Sequence, residues 1–98
     1  MNYQNEVERE EIVMDFGAVI KALKRGRKVQ RRGWNGKGMY LLLITDGNYG
    51  LDVEKYKYLK EQSIELLPCI GMKTADNKFV PWLASQTDVL ADDWMTVG

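Results

Sequence analysis

Met39-Tyr40-Leu41-Leu42-Leu43-Ile44 is a run of six residues without a charge or a turn former, and it limits the fold more than any other feature of the chain. The run has strand length and no helical period, so both faces of that strand need cover. Such a strand belongs in the middle of a sheet. One amphipathic helix covers one face. A chain of 98 residues has little left for the other. Self-association is the economical cover for it.

The helix for the first face is the clearest element. Asp15 is a good N-cap, and Phe16, Val19, Ile20 and Leu23 form an apolar stripe at i, i+3, i+4 and i+7. Met14 and Val19 stand where a hydrophobic staple would. Lys21, Lys24 and Arg25 suit the helix C-terminus, and Gly26 stops the helix. Arg27 to Trp34 reads as a strand. Asn35-Gly36 after it is the dipeptide of a tight hairpin. Leu51 to Gln62 has helical spacing. Ile64 to Lys73 reads as a strand interrupted by Pro68 and Gly71, hence two pieces or a bulged edge strand. Asp76-Asn77 makes a turn into Lys78–Trp82, its partner. The fold class is α+β: a small antiparallel sheet with a packed N-terminal helix and short additional helices, oligomeric. Residues 1–14, rich in glutamate, form an acidic N-terminal extension. Residues 15–98 form a single α+β ligand-binding domain.

Composition narrows the function. The chain is 45% hydrophobic and 29% charged, ordinary for a soluble domain. Fourteen basic residues balance fourteen acidic ones, which disfavours binding to long nucleic acid. No apolar run approaches the roughly eighteen residues of a membrane span, and there is no signal peptide, so no membrane partner and a cytoplasmic location are expected. Cys69 is the sole cysteine, which excludes an internal disulfide. The chain has no histidine. That removes the usual general base, the usual zinc ligand and the Ser-His-Asp arrangement. No cofactor, no metal and no enzymatic activity are expected.

Binding chemistry concentrates in Val80-Pro81-Trp82-Leu83-Ala84-Ser85-Gln86-Thr87-Asp88-Val89-Leu90-Ala91-Asp92-Asp93-Trp94. Ser85 and Asp88 have capping-box spacing at the start of a short helix. Aromatic faces, hydroxyls, an amide, a carboxylate and helix N–H groups converge there, equipment for a flat ring joined to a polar or anionic group. The plainer reading is that Trp82 and Trp94 are core, Trp94 the more so, and that Ser85 and Asp88 only cap a helix. A second cluster places seven positive charges within residues 21–32. These are either a solvated surface or a place where Arg31 or Arg32 reaches a phosphate with its guanidinium fork. Trp34 beside the glycine-rich turn is awkward to bury and is a ligand or interface candidate.

The pieces Phe16-Gly17-Ala18 with Ile20 and Ala22-Leu23-Lys24, Gly33-Trp34-Asn35-Gly36-Lys37-Gly38-Met39-Tyr40-Leu41, Met72-Lys73-Thr74-Ala75-Asp76, and the Val80–Trp94 run resemble a family of small phage and prophage proteins. That family, long a domain of unknown function, includes the second type of Thoeris anti-defence protein. The resemblance runs from about Asp15 to Val97. It leaves out the acidic start and residues 51–67.

The resemblance implies a sponge: a homo-oligomer, dimers paired into tetramers, that binds cyclic ADP-ribose isomers made by bacterial TIR-domain enzymes. It further implies that some members bind cyclic di- or trinucleotides of CBASS defence, and that the signal is held without cleavage. The residues suit that role. Nanomolar binding corresponds to about 12 kcal/mol, and one base stacked on tryptophan supplies about 1–3 kcal/mol, so several anchors must combine. The expected set is stacking on Trp34 or Trp82, phosphate contacts from Arg31 or Arg32 and from amides near Gly36, and polar contacts from Asn35, Ser85, Gln86, Thr87 and Asp88. The alternative is a protein-interaction module that blocks a host protein with Trp34 and Trp82 as hot spots.

Overall fold

Asp15 opens helix α1 (Phe16–Lys24) by accepting a hydrogen bond from the Ala18 amide at 3.0 Å. The computed structural model that shows this describes residues 12–34, 38–45 and 53–98. The expected acidic extension falls almost wholly outside the described residues, as does the Asn35-Gly36 turn. The helix ends in a Schellman motif. Gly26 takes a φ of 82°, its amide donates to the Leu23 carbonyl at 2.9 Å, and Arg27 N donates to the Ala22 carbonyl at 3.0 Å.

Five strands follow: β1 (Lys28–Arg31), β2 (Tyr40–Ile44), β3 (Cys69–Lys73), β4 (Phe79–Pro81) and β5 (Trp94–Val97). They form one antiparallel sheet in the order β4-β3-β2-β1-β5. The apolar run is therefore the central strand, as its unbroken hydrophobicity requires. Helix α2 (Val53–Glu61) joins β2 to β3, and helix α3 (Gln86–Leu90) joins β4 to β5. Met14 extends the far edge: its amide donates to the Trp94 carbonyl at 2.8 Å and its carbonyl accepts from Trp94 N at 3.2 Å.

Register fixes the two faces. Val29 pairs with Leu41, Leu41 with Met72, Leu43 with Ile70, and Arg31 with Trp94, so these side chains share one face. Helix α1 lies on that face. Val19, Ala22 and Leu23 from the helix bury against Val29, Leu41 and Trp94 from the sheet. The opposite face carries Tyr40, Leu42, Ile44, Gly71, Phe79, Met95 and Val97. Its cover is partial. Tyr40 lies under Lys28 and Lys73, whose Nζ atoms stand 4.8 and 5.8 Å from the ring centroid. Leu42, Met95 and Val97 stay half-exposed.

Two local expectations differ from the structure. The strand read over Arg27–Trp34 stops at Arg31, and Arg32–Trp34 turns into a 3₁₀ helix. The connection from β1 to β2 runs over residues 32–39, and the expected Asn35-Gly36 turn within it lies outside the described residues. Ile64–Lys73 is neither two strands nor a bulged edge: β3 starts after Pro68, runs unbroken and is paired on both sides. Pro68 lies outside the ladder, where its missing N–H costs nothing. Gly71 stays in the ladder because the Phe79 ring lies over it and supplies the contact its own side chain cannot.

A methyl group at Gly71 would overlap the Phe79 ring and stand 3.2 Å from Ile44 Cδ1. Gly71→Ala is expected to expel the ring and lower stability by about 1–2 kcal/mol in urea unfolding. In a Phe79→Ala background the same substitution should lose most of that effect.

Candidate functional site

Trp94 is the anchor of the site. It is fully buried, and its Nε1 donates to the Asp88 carbonyl at 2.9 Å, which satisfies the one polar atom an indole carries. Among the described residues, three rings surround it. Trp34 meets it edge-on at 5.4 Å between centroids, Phe16 at 5.6 Å and tilted, and Trp82 edge-on at 6.1 Å. Phe16 also lies 6.2 Å from Trp82. Trp34 and Trp82 are only half-buried. Each is braced from behind by Trp94 and presents its remaining surface outward. The open question about Trp94 is thus answered in favour of the core.

Arg31 joins the charged residues of three segments. Its Nε donates to Asp93 Oδ1 at 2.8 Å and its Nη1 to Asp88 Oδ1 at 3.0 Å. The three side chains are 19%, 27% and 17% exposed, enough shielding for the pairs to matter. Asp93 Oδ2 accepts from Gly33 N at 3.1 Å, and the Asp93 carbonyl accepts from Arg32 N at 3.0 Å. Ser85 caps α3: its Oγ accepts from Asp88 N at 3.0 Å and donates to Asp88 Oδ2 at 2.9 Å. The carboxylate thus meets the serine hydroxyl, not the serine amide of a standard capping box.

The expected site residues fall into three groups. Arg31, Trp34, Trp82, Ser85 and Asp88 form one connected network around Trp94 through the contacts above. Arg32, Gln86 and Thr87 are exposed beside it, Arg32 on the 3₁₀ turn and the other two on the first turn of α3. Asn35 and Gly36 lie outside the described residues. Asp93 and Phe16 belong to the network and were missed. The signal for Asp93 was present: an acidic doublet immediately before a tryptophan, in a chain with a basic strand needing partners.

A cleft of about 410 Å³ opens between α1 and the adjoining ends of β2 and β3. Ile20, Leu23, Leu43 and Ile70 make its apolar floor, Trp82 closes one side, and Lys24 is the one charged lining residue among the described residues. Trp82 therefore belongs both to the aromatic cluster and to this cleft.

The charge network sets a pH dependence. The hydrogen bond from Arg31 holds the Asp93 carboxyl below the usual carboxylate range, helped by the Gly33 amide, against burial, which pushes it up. The Arg31 guanidinium is pushed further up by its hydrogen bonds to Asp93 and then Asp88. A carboxylate lowered by folding adds stability above its unfolded value of about 3.9, and that stability is lost as pH falls through and below that value. Urea unfolding should therefore show the wild type losing stability from about pH 5 downward more steeply than Arg31→Met. At pH 7 the variant should be less stable by about 2–3 kcal/mol.

Residues 14–97 match the model of the Thoeris anti-defense 2-like domain. A protein of Bacillus phage SP01 named Thoeris anti-defense 2 is 42% identical over 87 residues, which cover 83% of this chain and 91% of the relative. The match begins at Met14, the residue that bonds to Trp94, and ends within β5, so it spans the whole described sheet. The chain belongs to the Thoeris anti-defense 2-like family.

Proposed function

We propose that this protein is a phage anti-defence sponge: it binds cyclic nucleotide immune signals in the host cell and sequesters them uncleaved, so the defence effector is never activated. Cyclic ADP-ribose isomers are the first ligand class and cyclic di- or trinucleotides the second. The observation that carries the reading is a pair of half-exposed indoles, Trp34 and Trp82, fixed against a buried third in a chain of this family. The name of the SP01 relative places that protein in Thoeris anti-defence.

The residue chemistry supports holding over cutting. A binding site without proton transfer needs flat apolar surfaces, a few hydrogen-bonding groups and limited positive charge. Trp82 offers a stacking surface beside an apolar cleft, with Lys24 at its lining for an anionic group. Arg32, Gln86 and Thr87 offer exposed donors and acceptors next to the aromatic cluster. Arg31 and Asp88 already bond each other, and they serve the site by holding its parts together. A homo-oligomer fits the half-exposed apolar residues of the second sheet face. Leu83 and Leu90, 92% and 79% exposed beside the site, call for cover as well.

Those same leucines favour one second reading, a module that docks on a host protein through Leu83, Leu90 and Trp82. Calorimetry with a cyclic ADP-ribose isomer, followed by mass spectrometry of the ligand released on heating, separates the two. The sponge reading expects tight binding and recovery of intact ligand. Trp34→Ala and Trp82→Ala should each weaken binding by about ten- to a hundredfold, the worth of one stacked base. An isomer returned as cleaved product, or no affinity for any cyclic nucleotide, defeats it.

A further inference from the structure

We infer that Asp93 is a positioning residue for ligand capture: it fixes the turn that carries Trp34 and so holds that indole ready to stack. The inference rests on the reading of Trp34 as a ligand-stacking surface.

Asp93 makes three bonds to the segment that leads to Trp34. Its carbonyl takes the Arg32 amide at 3.0 Å, Oδ2 takes the Gly33 amide at 3.1 Å, and Oδ1 takes Arg31 Nε at 2.8 Å. The first amides of a helical turn have no partner within the turn itself. In the turn Arg32–Trp34 the first two are both met by one distant residue, Asp93, which lies 60 positions from Gly33. The next residue along the chain, Trp94, then meets the Trp34 ring edge-on at 5.4 Å. Consecutive residues thus set the backbone of the turn and the ring it carries. Arg31 completes the arrangement: by occupying Oδ1 it leaves Oδ2 aimed at Gly33, and Asp88 steadies the other arm of the guanidinium at 3.0 Å.

The geometry requires a carboxylate. Both oxygens of Asp93 accept, one from Arg31 and one from Gly33. An asparagine has one accepting oxygen and an amino group that only donates. Whichever way it turns, one contact becomes donor against donor. Oδ2 sits close against the turn: a Cβ built at position 33 would stand 3.4 Å from it, in ordinary contact.

A double-mutant cycle tests this. Binding of a cyclic ADP-ribose isomer is measured by calorimetry on the full chain for wild type, Asp93→Asn, Trp34→Ala and the double variant, with circular dichroism melts confirming that each is folded. Asp93→Asn should weaken binding about tenfold in the wild-type background and less than about twofold in the Trp34→Ala background. Arg31→Lys, which keeps the charge but lacks the fork, should act in the same direction and serves if Asp93→Asn does not fold. Equal effects in both backgrounds would overturn the inference, since Asp93 would then act independently of Trp34. A second readout needs no ligand. The chain has three tryptophans, hence three indole N–H resonances in a proton–nitrogen spectrum, assigned by Trp34→Phe. In Asp93→Asn the Trp34 resonance should shift or broaden more than that of Trp82; an unmoved Trp34 resonance overturns the inference. If the wild type binds no cyclic nucleotide, the sponge reading falls and the resonance alone decides whether Asp93 holds the turn.

Discussion

An indole cannot be buried whole unless its N–H finds an acceptor, and the rest of this structure follows from how that demand is met for Trp94. The acceptor is the main-chain carbonyl of Asp88 in α3. That bond ties a helix of five residues, too short to be stable alone, to the edge strand that Trp94 begins. The buried ring then provides the surface against which Phe16, Trp34 and Trp82 rest. One burial event thereby brings together the start of α1, the turn after β1, the end of β4 and α3.

Charge reinforces the same junction. Arg31 is paired with Trp94 across the β1–β5 ladder and reaches out to Asp88 on one side and Asp93 on the other. Two carboxylates near one guanidinium satisfy its fork and limit repulsion between the acids. The basic stretch of residues 21–32 is therefore not uniform. Lys21, Lys24, Arg25, Arg27 and Lys28 are exposed, while Arg31 is half-buried and structural. The guanidinium of Arg31 is here engaged in holding the scaffold.

The two faces of the sheet divide the labour. The face under α1 is closed by Val19, Leu23, Val29, Leu41 and Trp94, and it supports the aromatic cluster at one end and the cleft at the other. Among the described residues, Tyr40 with its two lysines and Phe79 over Gly71 cover part of the second face. Among the described residues no helix is long and apolar enough to cross a bilayer.

What could be read from residues alone was whatever depends on neighbours within about one helical turn. Asp15 as a cap, Gly26 as a stop, Ser85 with Asp88 at the start of α3, the helix across residues 51–62 and the central place of Met39–Ile44 all follow from local hydrogen-bonding options and hydrophobic period. The family was legible too, because its motifs are contiguous. Tertiary structure decided the rest. Asp93 meets Arg31 across 62 positions and Gly33 across 60, and those bonds accompany a 3₁₀ helix at Arg32–Trp34 where the local sequence favoured a continued strand. Gly71 reads locally as a break and becomes a paired ladder position only because Phe79 of the next strand fills the space above it. Pairing across the sheet is a competition among distant segments, and composition and spacing within one segment carry no information about which distant partner wins.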